Sequence, residues 1–201
     1  MKTLSIILGL IVNSSASFAA TVGDISFPDS ETVDGKVLKL SGHAAMRTAT
    51  FLAVKVYAGA FYLEIPVTPA KLSDQELDAR GLDIIKSTQI KRIRMTFVRD
   101  IGEAKIVDTW KENFKKNCGT VCEKTRPKFE QVLACIKGDV KKGLTQTFTF
   151  FQDKVMVENT PPGASTRFCT INDPDYPNIL LGAWIGNSEV KELKEAWLGK
   201  L

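Results

Sequence analysis

The stretch RTATFLAVKVYAGAFYLE, residues 47–64, decides how this chain is read. It is dominated by Val, Leu, Phe, Tyr and small residues, the composition of a strand inside a sheet. Yet it opens on Arg47 and carries Lys55 and Tyr57. Successive strand side chains point to opposite faces. Leu52, Val54, Val56, Ala58 and Ala60 therefore share one side, wholly apolar. Phe51, Ala53, Lys55, Tyr57, Gly59 and Phe61 share the other, which is mixed. Arg47 has the parity of Tyr57, but a turn between them would leave a shared face undecided. Two readings stand. In one, Arg47 and Lys55 reach solvent over their aliphatic stems and Tyr57 is an ordinary half-buried aromatic. In the other, Arg47 and Tyr57 converge on an anion at the polar end of an apolar cavity. A guanidinium donates two parallel hydrogen bonds to a carboxylate and stays charged, and a phenol adds a third donor. Such a site fits an amphiphilic acid.

Working outward, residues 35–64 read as two or more strands with a bend at Gly42. Residues 68–87 read as helical, with Thr68 as N-cap, Pro69 at the first position, and a capping box of Ser73 and Glu76 opening a second turn. In IKRIRMTFV, residues 90–98, Ile93, Met95 and Phe97 alternate with Arg92, Arg94 and Thr96, a half-buried strand with a solvated basic face. Asp100 and Glu103 signal a helix start, with Ile106, Trp110 and Phe114 at helical spacing and an end at Cys118-Gly119. Trp110 and Phe114 are expected to pack that helix onto the sheet. Residues 126–138 form a second helix through Phe129, Val132, Leu133 and Ile136. Residues 144–159 form two strands turning near Gln152-Asp153, and residues 173–199 form two consecutive helices. This order predicts an α+β fold, a mostly antiparallel sheet with helices on one side.

The chain has 201 residues, 44% hydrophobic and 25% charged, which suits one folded domain with a sizeable core. Its start, MKTLSIILGLIVNSSASFAA, has a lysine, a short apolar run and small residues before a cleavage point, the pattern of a secretory signal. The run is too short to span a bilayer. We read residues 1–19 as a cleaved signal peptide and 20–201 as the mature domain, exported and, from the short signal, periplasmic. Removing the signal lowers the net charge from +4 to about +3. That charge is dispersed, which excludes a nucleic-acid binder. The four cysteines, Cys118, Cys122, Cys135 and Cys169, are disulfide candidates in an exported chain. Four cysteines allow three pairings. Cys118 and Cys122 are close enough to bridge across one turn, which would leave Cys135 with Cys169, but the sequence does not choose. A metal site is poorly supported: the spacing is C-x3-C and the only histidine is His43. No cofactor is expected.

Three segments carry a resemblance to the chalcone isomerase-like family: GHAAMRTATFLAVKVYAGAFYLE, MTFVRDIGEAKIVDTWKENF and ILLGAWIGNSEVKELKEAWLG. In order, they span nearly the whole mature chain. The resemblance implies an open-faced β-sandwich, a large antiparallel sheet covered on one face by a layer of helices. The family contains plant isomerases, which close a flavanone ring by intramolecular addition, and a non-catalytic branch that binds fatty acids by their carboxylate. By the resemblance, Arg47 matches the family arginine and Tyr57 stands where the fatty-acid binders have their carboxylate-binding tyrosine. The enzymes have a threonine there. Their catalytic tyrosine falls at Lys105 or Ile106 here, and their later hydroxyl residue falls near Pro177. Asn113 resembles their substrate-binding asparagine. TPPGAS, residues 160–165, echoes a plant stretch but follows the strand pair, so it is read as a turn.

The expectation is an exported, non-catalytic binder of a small, fatty-acid-like amphiphile. Arg47 and Tyr57 would be its carboxylate clamp, Asn113 a further ligand contact, and Lys55 a source of positive potential near the mouth. One alternative is an isomerase or intramolecular lyase acting on an enone, with Arg47 stabilising charge. The other is a protein-interaction module with a vestigial pocket. The protein partner is unspecified.

Overall fold

A computed structural model describes residues 18–49, 54–188 and 190–201. In chain order the elements are β1 (Phe18–Val22), β2 (Ile25–Pro28), β3 (Ser30–Val33), β4 (Lys36–Leu40), β5 (Ala45–Ala49), β6 (Val54–Leu63), α1 (Asp74–Lys86), β7 (Lys91–Phe97), α2 (Glu103–Asn117), α3 (Cys122–Cys135), β8 (Thr145–Phe150), β9 (Lys154–Thr160), β10 (Arg167–Asn172), α4 (Tyr176–Ile185) and α5 (Lys191–Trp197). The expected signal lies outside the described residues except for positions 18 and 19, which begin β1. So do positions 50–53, including Phe51, Leu52 and Ala53 of the opening stretch.

Antiparallel pairing builds an eight-stranded sheet in the order β10-β9-β8-β7-β6-β4-β3, with β5 also paired to β6. The β3–β4 hairpin closes on Asp34 and Gly35, both at positive φ (53° and 76°), as the tight hairpin turn demands. Between β4 and β5 the chain bends at Gly42, φ +61°, where a Cβ would overlap the Ala196 carbonyl. The bend lets β4 and β5 pair successive lengths of β6, Leu40 with Tyr62 and Ala45 with Gly59.

Alternation works as expected on β7, where Ile93, Met95 and Phe97 are buried against the helices. Phe61, Leu63, Phe148, Phe150, Val155 and Val157 extend that face. Helix α4 is apolar apart from the exposed Asn178 and packs against the other four helices of the layer. Its Trp184 meets Trp110 of α2 at 5.3 Å and Phe148 of β8 at 5.3 Å between ring centroids. Trp110 thus packs α2 onto the sheet, whereas Phe114 stacks at 4.4 Å on Phe129 of α3. The opposite sheet face is closed by a smaller cluster, Phe27, Leu38, Ala58, Ala60, Tyr62 and Ile90.

Three local expectations are corrected. Residues 68–72 are not helical, because Ala70 donates to the Gly199 carbonyl and accepts from Leu201, which holds that segment extended. Helix α1 starts instead at the Ser73–Glu76 capping box. Asp100 does not cap α2; it accepts from the Lys142 amide, and Gly102 is the N-cap. The basic face of β7 is not simply solvated. Arg92 is 14% exposed and pairs with Glu31 and Glu158 at 2.6 and 3.0 Å, and Arg94 joins Glu31 at 2.8 Å. The 160–165 segment is a turn, with Gly163 at φ +68°. The disulfides join Cys118 to Cys122 and Cys135 to Cys169, the latter tying α3 to β10.

Candidate functional site

The β5–β6 register puts Arg47 directly opposite Tyr57. Directly paired residues share a sheet face, and Tyr57 packs against the helix-side core. Beside them the register slips: Thr48 pairs with Lys55, so Val56 is an extra residue on β6. A bulge of this kind re-aims the side chains around it. It turns Lys55 off the face of Tyr57, contrary to the simple alternation, and Lys55 is exposed. Val56 in turn packs with Tyr57 and Phe97.

Arg47 is 18% exposed, and its Nη1 is already occupied. Nη1 donates to Glu192 Oε1 of α5 at 2.8 Å, and to the Thr48 carbonyl. The Thr48 amide donates to the same Glu192 oxygen at 3.2 Å. Partial burial alone would raise the Glu192 pKa. The hydrogen bonds from Arg47, from its own backbone amide and from Thr48, with the Arg47 charge, outweigh it and hold the carboxyl below its ordinary range. Tyr57 packs edge-on against Phe97 at 5.5 Å between ring centroids. Burial is the main cause that pushes the Tyr57 pKa up to about 12; Trp184 and Arg47 oppose it and Glu192 adds to it. The phenol is therefore a neutral donor near pH 7. Arg47 and the Thr48 backbone N–H together hold the Glu192 carboxylate, and Tyr57 stands opposite Arg47 on the neighbouring strand.

Glu192 is the residue that sequence reasoning missed. It lies 145 positions from Arg47 in an ordinary amphipathic helix, and no local signal marks it. The structure does not bring Asn113 to this corner through any described hydrogen bond. Its amide donates to Thr109 of its own helix, and it lines a small cavity of about 10 Å³ with Trp110, Phe114, Phe129 and Tyr176. The Tyr176 hydroxyl is buried without a partner. Lys105 is exposed, Ile106 half-buried and Pro177 buried at the start of α4. Among the described residues, no three His, Cys, Asp or Glu side chains gather to hold a metal ion.

A helix layer covers one face of the antiparallel sheet, with Arg47 and Tyr57 paired across adjacent strands beneath it. The family model described as chalcone isomerase-like matches residues 19–199, and the chain belongs to that family. A solved structure with the same fold is the Arabidopsis thaliana fatty-acid binding protein AtFAP1. It is 15% identical, with a TM-score of 0.67, over 88% of this chain and 92% of that one. No curated protein matches the sequence. No described helix is long and apolar enough to cross a membrane.

Proposed function

We propose that this protein is an exported, non-catalytic binder of a small amphiphilic acid, fatty-acid-like, whose carboxylate is held by Arg47 and Tyr57. The observation that carries this reading is the occupied corner: Arg47 and the Thr48 amide already place two donors on one carboxylate oxygen. Tyr57, kept protonated by burial, is the residue paired with Arg47 across the strands. The same chemistry suits a ligand carboxylate. Half-buried Val56, Ile101 and Ile106 adjoin Tyr57 and Phe97 in a small apolar cluster, which would receive the tail. AtFAP1, with the same fold, is a fatty-acid binding protein by its description. Against turnover, the positions where the resemblance puts the enzymes' hydroxyl donors hold Lys105, Ile106 and Pro177. An electrostatic catalyst without its donors loses orders of magnitude in rate.

The test is dodecanoate binding by the disulfide-bonded protein and its Arg47→Ala variant. Removing one member of a buried charge contact costs about 2–5 kcal/mol, so the variant should bind at least tenfold more weakly. Unchanged affinity would discard the clamp. Turnover of a chalcone, lost in Arg47→Ala, would favour the isomerase reading instead.

A further inference from the structure

We propose that Glu192 is the specificity-determining residue of this site: its carboxylate stands in for the ligand's, so an acid binds by exchanging one carboxylate for another and is selected by its tail. The inference rests on the reading of the site as a carboxylate clamp. Its own evidence is geometric. One oxygen of Glu192 takes both the Arg47 Nη1 and the Thr48 amide protons, at 2.8 and 3.2 Å. These are two of the donors a ligand head group at this corner would use.

The two partners differ in freedom. The Arg47 side chain is 18% exposed and that of Glu192 is 36% exposed. Glu192 is the second residue of α5, so its side chain can turn outward to water without unwinding the helix. Arg47 sits on a paired strand and cannot follow it. Displacement therefore leaves the arginine in place and hydrates the glutamate.

Exchange has a consequence for selectivity. One anion leaves Arg47 as another arrives, so the charge in the corner is conserved and the head group adds little net affinity. Glu192 is also tethered, and a tethered competitor acts at an effective concentration on the order of millimolar. Acetate should fail to displace it. Each added methylene buried by a longer chain should strengthen binding about fourfold. A long-chain alcohol leaves the Arg47–Glu192 pair intact, so it should bind nearly as well as the acid of equal length.

The experiment compares acetate, dodecanoate and dodecanol binding to the full disulfide-bonded chain and to Glu192→Gln. Glutamine keeps an oxygen that can accept from Arg47 and Thr48, so the fold should survive, but it no longer neutralises the arginine. Exchange predicts that Glu192→Gln tightens dodecanoate at least tenfold and leaves dodecanol within about threefold. If glutamine unfolds the chain, Glu192→Asp, with a shorter reach, should tighten dodecanoate by a smaller factor. Dodecanoate affinity unchanged or weakened in the variant would overturn the proposal and make Glu192 a structural partner that positions Arg47. Tight acetate binding to the native protein would overturn it as well. If Arg47→Ala weakens dodecanoate while Glu192→Gln has no effect, only the exchange fails. If Arg47→Ala also has no effect, the clamp fails with it.

Discussion

Lys91 is a single residue whose environment sets a pH dependence. It is 4% exposed, and its Nζ donates to the carbonyls of Ser87 and Ile85 at the end of α1. Burial lowers its pKa from 10.5 to about 8, with the Glu64 charge opposing the shift. Above pH 10.5 neither state carries this proton. As pH falls through that value the unfolded chain binds the proton first, and stability drops until the folded lysine is also charged near pH 8. Urea unfolding midpoints should therefore rise between pH 8 and 10. The gain should be about 1–2 kcal/mol after allowing for residual hydration of the ammonium. Lys91→Met should flatten that slope, and a slope of equal size in the variant would assign it to other groups. Lys91 shows how little a residue's identity says about its state: a lysine on an alternating strand reads as solvated, and only packing against the α1 terminus makes it otherwise.

At the scale of elements, the corner where α5 meets the β4–β5 bend holds the site together. His43 donates its amide to Ala196, Ser41 its hydroxyl to the Trp197 carbonyl, and Trp197 its indole proton to Gly59. Trp197 lies so close over Gly59 that a Cβ there would meet the ring at 2.7 Å. Gly42→Ala would combine a left-handed backbone with overlap on the Ala196 carbonyl. It should cost more than about 2 kcal/mol in chemical denaturation and shift α5, and with it Glu192, off β5. A variant as stable as the native chain would show that the bend tolerates a side chain. The two disulfides differ in leverage. The Cys135–Cys169 bridge spans 34 positions and the Cys118–Cys122 bridge only 4. Loop-closure entropy gives about 4 kcal/mol for the first and about 2 for the second. The double replacement Cys135→Ala with Cys169→Ala should destabilise more than the other pair, and the reverse order would point to strain or residual structure instead of entropy.

For the whole molecule, the sheet carries two unequal faces. The helix-covered face holds the main core, and the other combines a small apolar cluster with the Arg92–Glu31–Glu158 and Arg94 network. The Arg47–Glu192 corner lies at the β5–β6 part of the helix-covered face, under α5. This arrangement puts the main core beneath α4, and the proposed exchange would involve only the shorter α5. Arg47→Ala should therefore weaken acid binding with little loss of global stability, whereas truncating Trp184 should unfold the layer. Denaturation of both variants, read beside dodecanoate titrations, separates the two effects.

Periodicity, capping and turn chemistry determined much of this protein without the structure. The β7 alternation, the Ser73–Glu76 capping box, the Gly42 bend and the pairing of helices after β7 are local, because each depends on residues within a few positions of one another. The same locality explains the misplaced start of α1, since the extended 68–72 segment is held by the far C-terminus. Arg47 and Tyr57 were legible as candidates from residue type and resemblance. Their direct pairing, the bulge that turns Lys55 away, and the partly buried ion network of Arg92 were decided by strand register. Glu192 on Arg47 was decided by the docking of α5, a contact between residues 145 positions apart. Only a folded chain brings those charges within hydrogen-bonding distance.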